Sequence, residues 1–262
     1  LPGPYARPVE GDETSVRAIS RADLFAFYRK NFVPSRFTLA VEGNFDPAAV
    51  LASVHRRYGG LDAGTPRRTS PEEFGLGVGG VRTRTIERPG AAQALLLVAW
   101  PAPPVGDTDY PALKIANALL GGASQARLFR HLREESGLAY EIGSFYPTRR
   151  GPSLVIAYLG TDPSNLATDS PSLAEAVRGV LERLRNEMTH EELEAARAKV
   201  LGDFLLDHQT SARRAWYRAW FETVGVGADY DAGYAEAIRA VTIDEARRAV
   251  LRLLATPPRV LR

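Results

Sequence analysis

Four histidines, His55, His131, His190 and His208, are the side chains best suited to metal or acid–base chemistry in this sequence. A catalytic zinc needs several convergent ligands, and one helical peptidase form supplies them as His-x-x-Glu-His. His190-Glu191-Glu192 has no second histidine at the required spacing. Behind Thr189 it reads as the first turn of a capped helix. His55 and His131 each lie beside arginine on helical segments and read as surface residues, and His208 is placed to pair with its neighbour Asp207. No metal site is assigned. Cysteine is absent, which excludes disulfides, thiolate metal sites and a cysteine nucleophile. No Gly-x-Ser-x-Gly elbow offers a serine nucleophile. The glycines between 62 and 80 follow no strand and precede no helix, so they form no phosphate loop.

The elements that must position any site follow from periodicity. Ser20-Arg21-Ala22-Asp23 opens a helix that carries Leu24, Phe25, Phe27 and Tyr28 and stops at Pro34. Phe37 to Val41 reads as a strand closed by Gly43-Asn44. Asp46-Pro47 starts a second helix, with Asp at the N-cap and Pro in the first turn. Residues 62–80, rich in Gly, Pro and Thr, read as a linker. Strands are expected at about 81–88 and 92–100, joined by a Pro89-Gly90 turn, and again at about 138–146 and 153–160. The run Ala94 to Trp100 is apolar at every position, which predicts a central strand. Helices are expected near 109–120 and 124–136. Others follow over Leu173 to Met188, after Thr189 and after Thr242, where Glu192 and Glu245 complete capping boxes. The order is strands, helices, strands, helices, with hairpin-like strand connections. It predicts an α+β fold: a mainly antiparallel sheet with helices packed on one face, preceded by a partial copy of a similar domain.

The chain has 262 residues, of which 45% are hydrophobic, enough for one sizeable core or two modest ones. Its net charge of +2 gives no basic footprint for nucleic acid. No apolar run approaches the ~18 residues of a membrane span. The opening Leu1-Pro2-Gly3-Pro4 has no initiator Met and no signal-peptide shape, so the sequence is expected to be part of something longer. Another strand is expected to begin near its end, at Pro257-Pro258.

The stretch from Leu119 through Gly121-Gly122, Arg127-Leu128-Phe129, Arg133 and Gly137-Leu138-Ala139-Tyr140 resembles a signature of the pitrilysin/insulinase family of zinc metallopeptidases. That family includes insulin-degrading enzyme and the mitochondrial processing peptidase. Tyr5 to Gly11, Asn31 to Pro34, Val41 to Pro47 and the helix from Thr189 to Leu206 resemble other family segments in the same order. Ala126 departs from the serine common before Arg-Leu-Phe. The Gly-Gly break is also shorter than the glycine loop of the processing peptidase's regulatory subunit.

The resemblance implies the LuxS/mitochondrial processing peptidase-like metallohydrolase fold. It divides the chain into a C-terminal remnant of a first peptidase-like domain (1–61), a linker (62–80) and a second, zinc-free domain (81–262). Zinc is expected in a missing N-terminal part or in a partner subunit, and no catalytic residue in this chain alone. Two halves of such a peptidase enclose a chamber, and the zinc-free half often presents an Arg and a Tyr seven residues apart. Arg133 and Tyr140 match that pair and are the implied substrate-binding residues. When a zinc-activated water attacks a peptide carbonyl, a phenol can donate to the developing oxyanion and a guanidinium fork can hold neighbouring carbonyls. The implied partners are a zinc-bearing half and a peptide substrate. The implied location is bacterial and periplasmic. The alternatives are the C-terminal part of a catalytic peptidase whose zinc motif lies upstream, and a structural scaffold of the same fold. The resemblance also implies an exposed apolar face on the first block, where a missing half would pack.

Overall fold

A computed structural model describes residues 9–65, 83–123, 125–167 and 172–262. The first block holds α1 (Glu13–Ala18), α2 (Arg21–Asn31), a 3-10 turn (Pro34–Arg36) and α3 (Pro47–Tyr58). The second holds, in chain order, β1 (Thr83–Arg84), β2 (Ala94–Ala102), α4 (Tyr110–Gly121), a π-helix (Phe129–Glu135), β3 (Glu141–Phe145) and β4 (Ser153–Thr161). It continues with α5 (Ser164–Ala167), α6 (Ser172–Glu187), α7 (His190–Asp207), α8 (Ser211–Val224), α9 (Tyr230–Ala240), α10 (Ile243–Leu254) and β5 (Arg259–Leu261). The expected linker falls mostly on residues 66–80, outside the described residues, as does the Tyr5–Pro8 segment.

The expected capping signals act as they should. Ser20, Thr189 and Thr242 each accept from the backbone N–H three residues on, and Asp23, Glu192 and Glu245 accept in return from the cap backbone. Asp46 caps α3, with Pro47 in its first turn.

The five strands form one sheet in the order β1-β5-β2-β4-β3. Only β1 with β5 is parallel. Along β2 and β4 the side chains alternate. Leu96, Val98, Trp100, Val155, Ala157 and Leu159 point into the helical layer and are buried. Leu95, on the opposite face, is 55% exposed. Helices α4, α6, α7 and α10 supply most of the covering layer; Leu173, Val177, Val180, Leu184 and Met188 of the α6 register are all buried. Each such side chain contributes ~1.5–3 kcal/mol of transfer free energy. The α+β architecture read from the sequence holds, and β2 is central.

Two local expectations fail. The first two strands do not form a hairpin, because β5 returns from α10 and inserts between β1 and β2, bonding to both. Its strand positions were visible in the sequence, but a partner chosen across the whole chain was not. Phe37 to Val41 forms no strand. It is extended chain with no neighbour to pair with among the described residues, and a ladder needs two strands.

In the first block no side chain of α1, α2 or α3 is buried. Leu24, Phe27, Phe32, Leu39 and Leu51 are all exposed, Phe27 by 61%. The apolar face expected there is therefore open. Glu42 links the two regions, bonded to Arg214 at 3.1 Å and paired with Arg218 at 3.4 Å, both on α8.

Candidate functional site

The segment carrying Arg133 and Tyr140 is anchored at three points. Arg127 is buried just before the π-helix; its guanidinium donates to both carboxylate oxygens of Glu192 (3.0 and 2.8 Å), to the Glu187 carboxylate (3.3 Å) and to the Glu187 carbonyl (3.0 Å). This fork fixes the segment to the junction of α6 and α7. Burial pushes the Glu192 carboxyl up, but the bonds from Arg127 and the Thr189 backbone N–H outweigh that and leave it below its ordinary value. Leu128 and Leu132 then sink into the core. At the other end Gly137 adopts φ +62°, a left-handed conformation that other residues enter at a cost. There the Gly137 N–H donates to the Arg133 carbonyl (3.2 Å) and the Leu138 N–H to the Leu132 carbonyl (2.8 Å). Thr161 donates to the Leu138 carbonyl (2.6 Å), and the Tyr140 N–H donates to the Gly160 carbonyl (2.8 Å). The chain thus enters β3 with Tyr140 immediately before it.

Gly121 explains why α4 can lie so close to this strand. A Cβ there would stand 2.5 Å from the Ser144 backbone nitrogen, so any larger residue would push α4 and β3 apart.

Arg133 and Tyr140 both point to solvent. Tyr140 is 55% exposed, and Arg133 is exposed with its guanidinium 4.8 Å from the Phe129 ring centroid. Neither lines the Lys114 cleft or the shallower clefts beside α10, Arg127 and α2. Gly137 separates the π-helix that carries Arg133 from Tyr140, which directly precedes β3, the last strand on its side of the sheet among the described residues.

The histidines are dispersed. His55 is exposed on α3, and His190 is the first residue of α7. His131 shares a proton-bearing contact with Glu135 (2.8 Å), which holds the Glu135 carboxyl low. His208 does not pair with Asp207, as its sequence position suggested. Asp207 bonds Arg213, while His208 lies 3.7 Å from Asp231 and stacks on Phe204 and Tyr217. The cap of α7 turns the imidazole inward, away from its sequence neighbour. Among the described residues no group of three His, Asp or Glu side chains could hold a metal ion, so these residues do not fit a zinc site.

Sequence reasoning missed one polar feature. Lys114, on the inward side of α4, is largely buried in an aromatic cleft made with α7, α8 and α9. The rings are visible in the sequence, with Trp216, Tyr217, Trp220, Phe221, Tyr230 and Tyr234 at helical spacing, but nothing local shows that Lys114 faces them.

The domain is thus a five-stranded sheet under one helical layer, with the Arg127 fork and the Gly137 turn fixing the segment before β3. Residues 18–200 match the family described as Peptidase M16 inactive domain, and the chain belongs to that family. A zinc protease of Mycobacterium tuberculosis is 27% identical over 211 residues, covering 80% of this chain and 48% of that protein. The chain thus spans about half the length of the curated relatives it matches. The crystal structure of a peptidase M16 inactive domain from Pseudomonas fluorescens superposes with a TM-score of 0.77 at 21% identity, over 98% of this chain and 60% of that one. The periplasmic protease PqqL of Escherichia coli shares the fold with a TM-score of 0.62 at 16% identity, over 84% of this chain and 24% of that one. No helix of the described residues is long and apolar enough to cross a membrane.

Proposed function

We propose that this chain is the zinc-free part of a two-half metallopeptidase: it forms chamber wall and holds the substrate peptide through Arg133 and Tyr140. One observation carries the reading. The two side chains, seven residues apart, are both exposed on either side of the Gly137 turn, next to β3, an edge strand among the described residues, while the residues around them are firmly anchored. An extended peptide beside β3 would find unpaired backbone groups as well as a guanidinium fork and a phenol. Arg133 would bind substrate carbonyls and fix their register; Tyr140 would donate a hydrogen bond to the oxygen that gains charge as the amide is attacked. Zinc, and the residues that bind it, would belong to the other half, which makes the working particle a heterodimer or a longer single chain. In this reading residues 1–61 are the remnant of a first domain, 62–80 its connection and 81–262 the second domain. A periplasmic bacterial setting fits the location named for PqqL.

The relatives favour the single-chain form. They are named zinc proteases, and this chain matches about half of each. In that case the zinc motif lies upstream in the same polypeptide, and the site here has the same role.

The test is reconstitution of peptide cleavage with a zinc-bearing half. Tyr140→Phe should lower kcat about a hundredfold with little change in KM, and Arg133→Ala should raise KM about tenfold. Wild-type kinetics for Tyr140→Phe would remove the oxyanion role.

A further inference from the structure

The cleft around Lys114 has a volume of about 390 Å³ and lies between α4, the end of β3 and helices α7, α8 and α9. Its walls are aromatic. Phe204, Trp220 and Tyr234 line it together with Tyr110 and Tyr146. Phe204 and Tyr234 pack with centroids 5.2 Å apart, and Tyr230 continues the row 6.0 Å beyond.

The Lys114 ammonium sits among these rings, 5.2 Å from the centroid of Tyr110 and 5.5 Å from that of Tyr146. Its Nζ donates to the Tyr146 carbonyl at 3.0 Å. Among the described residues no carboxylate lies within ion-pairing distance of it. The acidic residues that share the cleft or border it are already engaged: Asp203 with Lys199 at 2.5 Å, Asp207 with Arg213, and Asp231 with His208 at 3.7 Å. Burial pushes the Lys114 ammonium down to about 8, so it is still mostly charged at neutral pH. A buried cation without a counter-ion is costly, and ring faces compensate only part of that cost.

We infer that this cleft binds a carboxylate attached to an aromatic or large apolar group, with Lys114 as its counter-ion. The rings receive the apolar part, and the volume suits a group the size of one aromatic residue. Two sources offer this chemistry: the C-terminal residue of a peptide and a free aromatic amino acid. The site does not depend on the roles of Arg133 and Tyr140, neither of which lines the cleft, and it needs no zinc-bearing half.

Isothermal titration of the 262-residue chain with N-acetyl-L-phenylalaninate, N-acetyl-L-phenylalaninamide and free L-phenylalanine tests it. Saturable binding of at least one carboxylate is expected, with the amide about tenfold weaker or worse, a difference of ~1.4 kcal/mol. Lys114→Met should lose about the same factor while melting no lower than the wild type, because it removes a buried charge. Tighter binding of the acetylated carboxylate assigns the site to a peptide C-terminus; tighter binding of L-phenylalanine assigns it to the free amino acid. Equal affinity for the amide and the carboxylate, no binding of any of the three, or full affinity in Lys114→Met would overturn the inference. The amide comparison is made on the unmutated chain and so stands whether or not the variant folds.

Discussion

The two regions of this chain are built from the same local devices and reach opposite outcomes. Helix α2 and helix α7 both begin with a reciprocal capping box, and α3 and α4 both carry Pro in their first turn. Yet α2 and α3 bury nothing, while α4 buries seven side chains, among them Ile115, Ala116 and Leu120. Capping and propensity contribute only ~1 kcal/mol or less per signal. Large stabilisation needs a second apolar surface, and in the second region the sheet provides it. In the first, Phe27, Leu24 and Leu51 stay exposed, with no sheet to cover them among the described residues.

The sharpest break of this comparison is a pair of aromatic truncations. Trp100 is fully buried on β2, so Trp100→Ala should cost about 3–5 kcal/mol in urea unfolding. Phe27→Ala should cost no more than about 1 kcal/mol, since the ring is mostly exposed and gives up only an edge-on contact with Phe32, 6.5 Å between centroids. A loss from Phe27→Ala as large as that from Trp100→Ala would mean that something covers the first block in solution.

Ion pairs should divide in the same way. Arg127→Met strands the Glu192 carboxylate in a mostly buried place and should cost about 3 kcal/mol, read from the same unfolding curves. Glu42→Gln severs the pairs that join the two regions. Its partners Arg214 and Arg218 are more than a third exposed, so the loss should stay near ~0.5 kcal/mol.

A last effect concerns pH. Lys114 has a folded value of about 8 against an ordinary 10.5, so between these values the unfolded chain binds a proton that the native chain does not. Stability should therefore rise with pH from about 8 towards 10, by up to ~2 kcal/mol after allowing for partial solvent access. Above 10 the buried phenols of Tyr110, Tyr146 and Tyr234, which burial holds in their neutral form, reverse the trend. Thermal melts of Lys114→Met over this range should lose the rising part of the profile.

Much of the second region was legible because its signals are local and periodic. The α6 stripe from Leu173 to Met188, the Thr189 and Thr242 boxes and the apolar run of β2 each identify an element without reference to any other. The site was legible only in part. Arg133 and Tyr140 came from the order of a motif, Gly121-Gly122 to Tyr140, and the turn that presents them came from Gly137. Lys114 could not be recognised: in the sequence it is an ordinary polar position on α4, and what makes it unusual is the set of rings brought from three other helices.

The sequence by itself determined where helices start, which face of each is apolar, and the absence of any cysteine or His-x-x-Glu-His chemistry, because those properties belong to residue types and short spacings. The tertiary structure decided which strands become neighbours, placing β5 between β1 and β2. It also decided which apolar faces find cover and which charge is left without a partner. Pairing, burial and counter-charge are relations between segments far apart in the chain, and no local pattern encodes the second member of the pair.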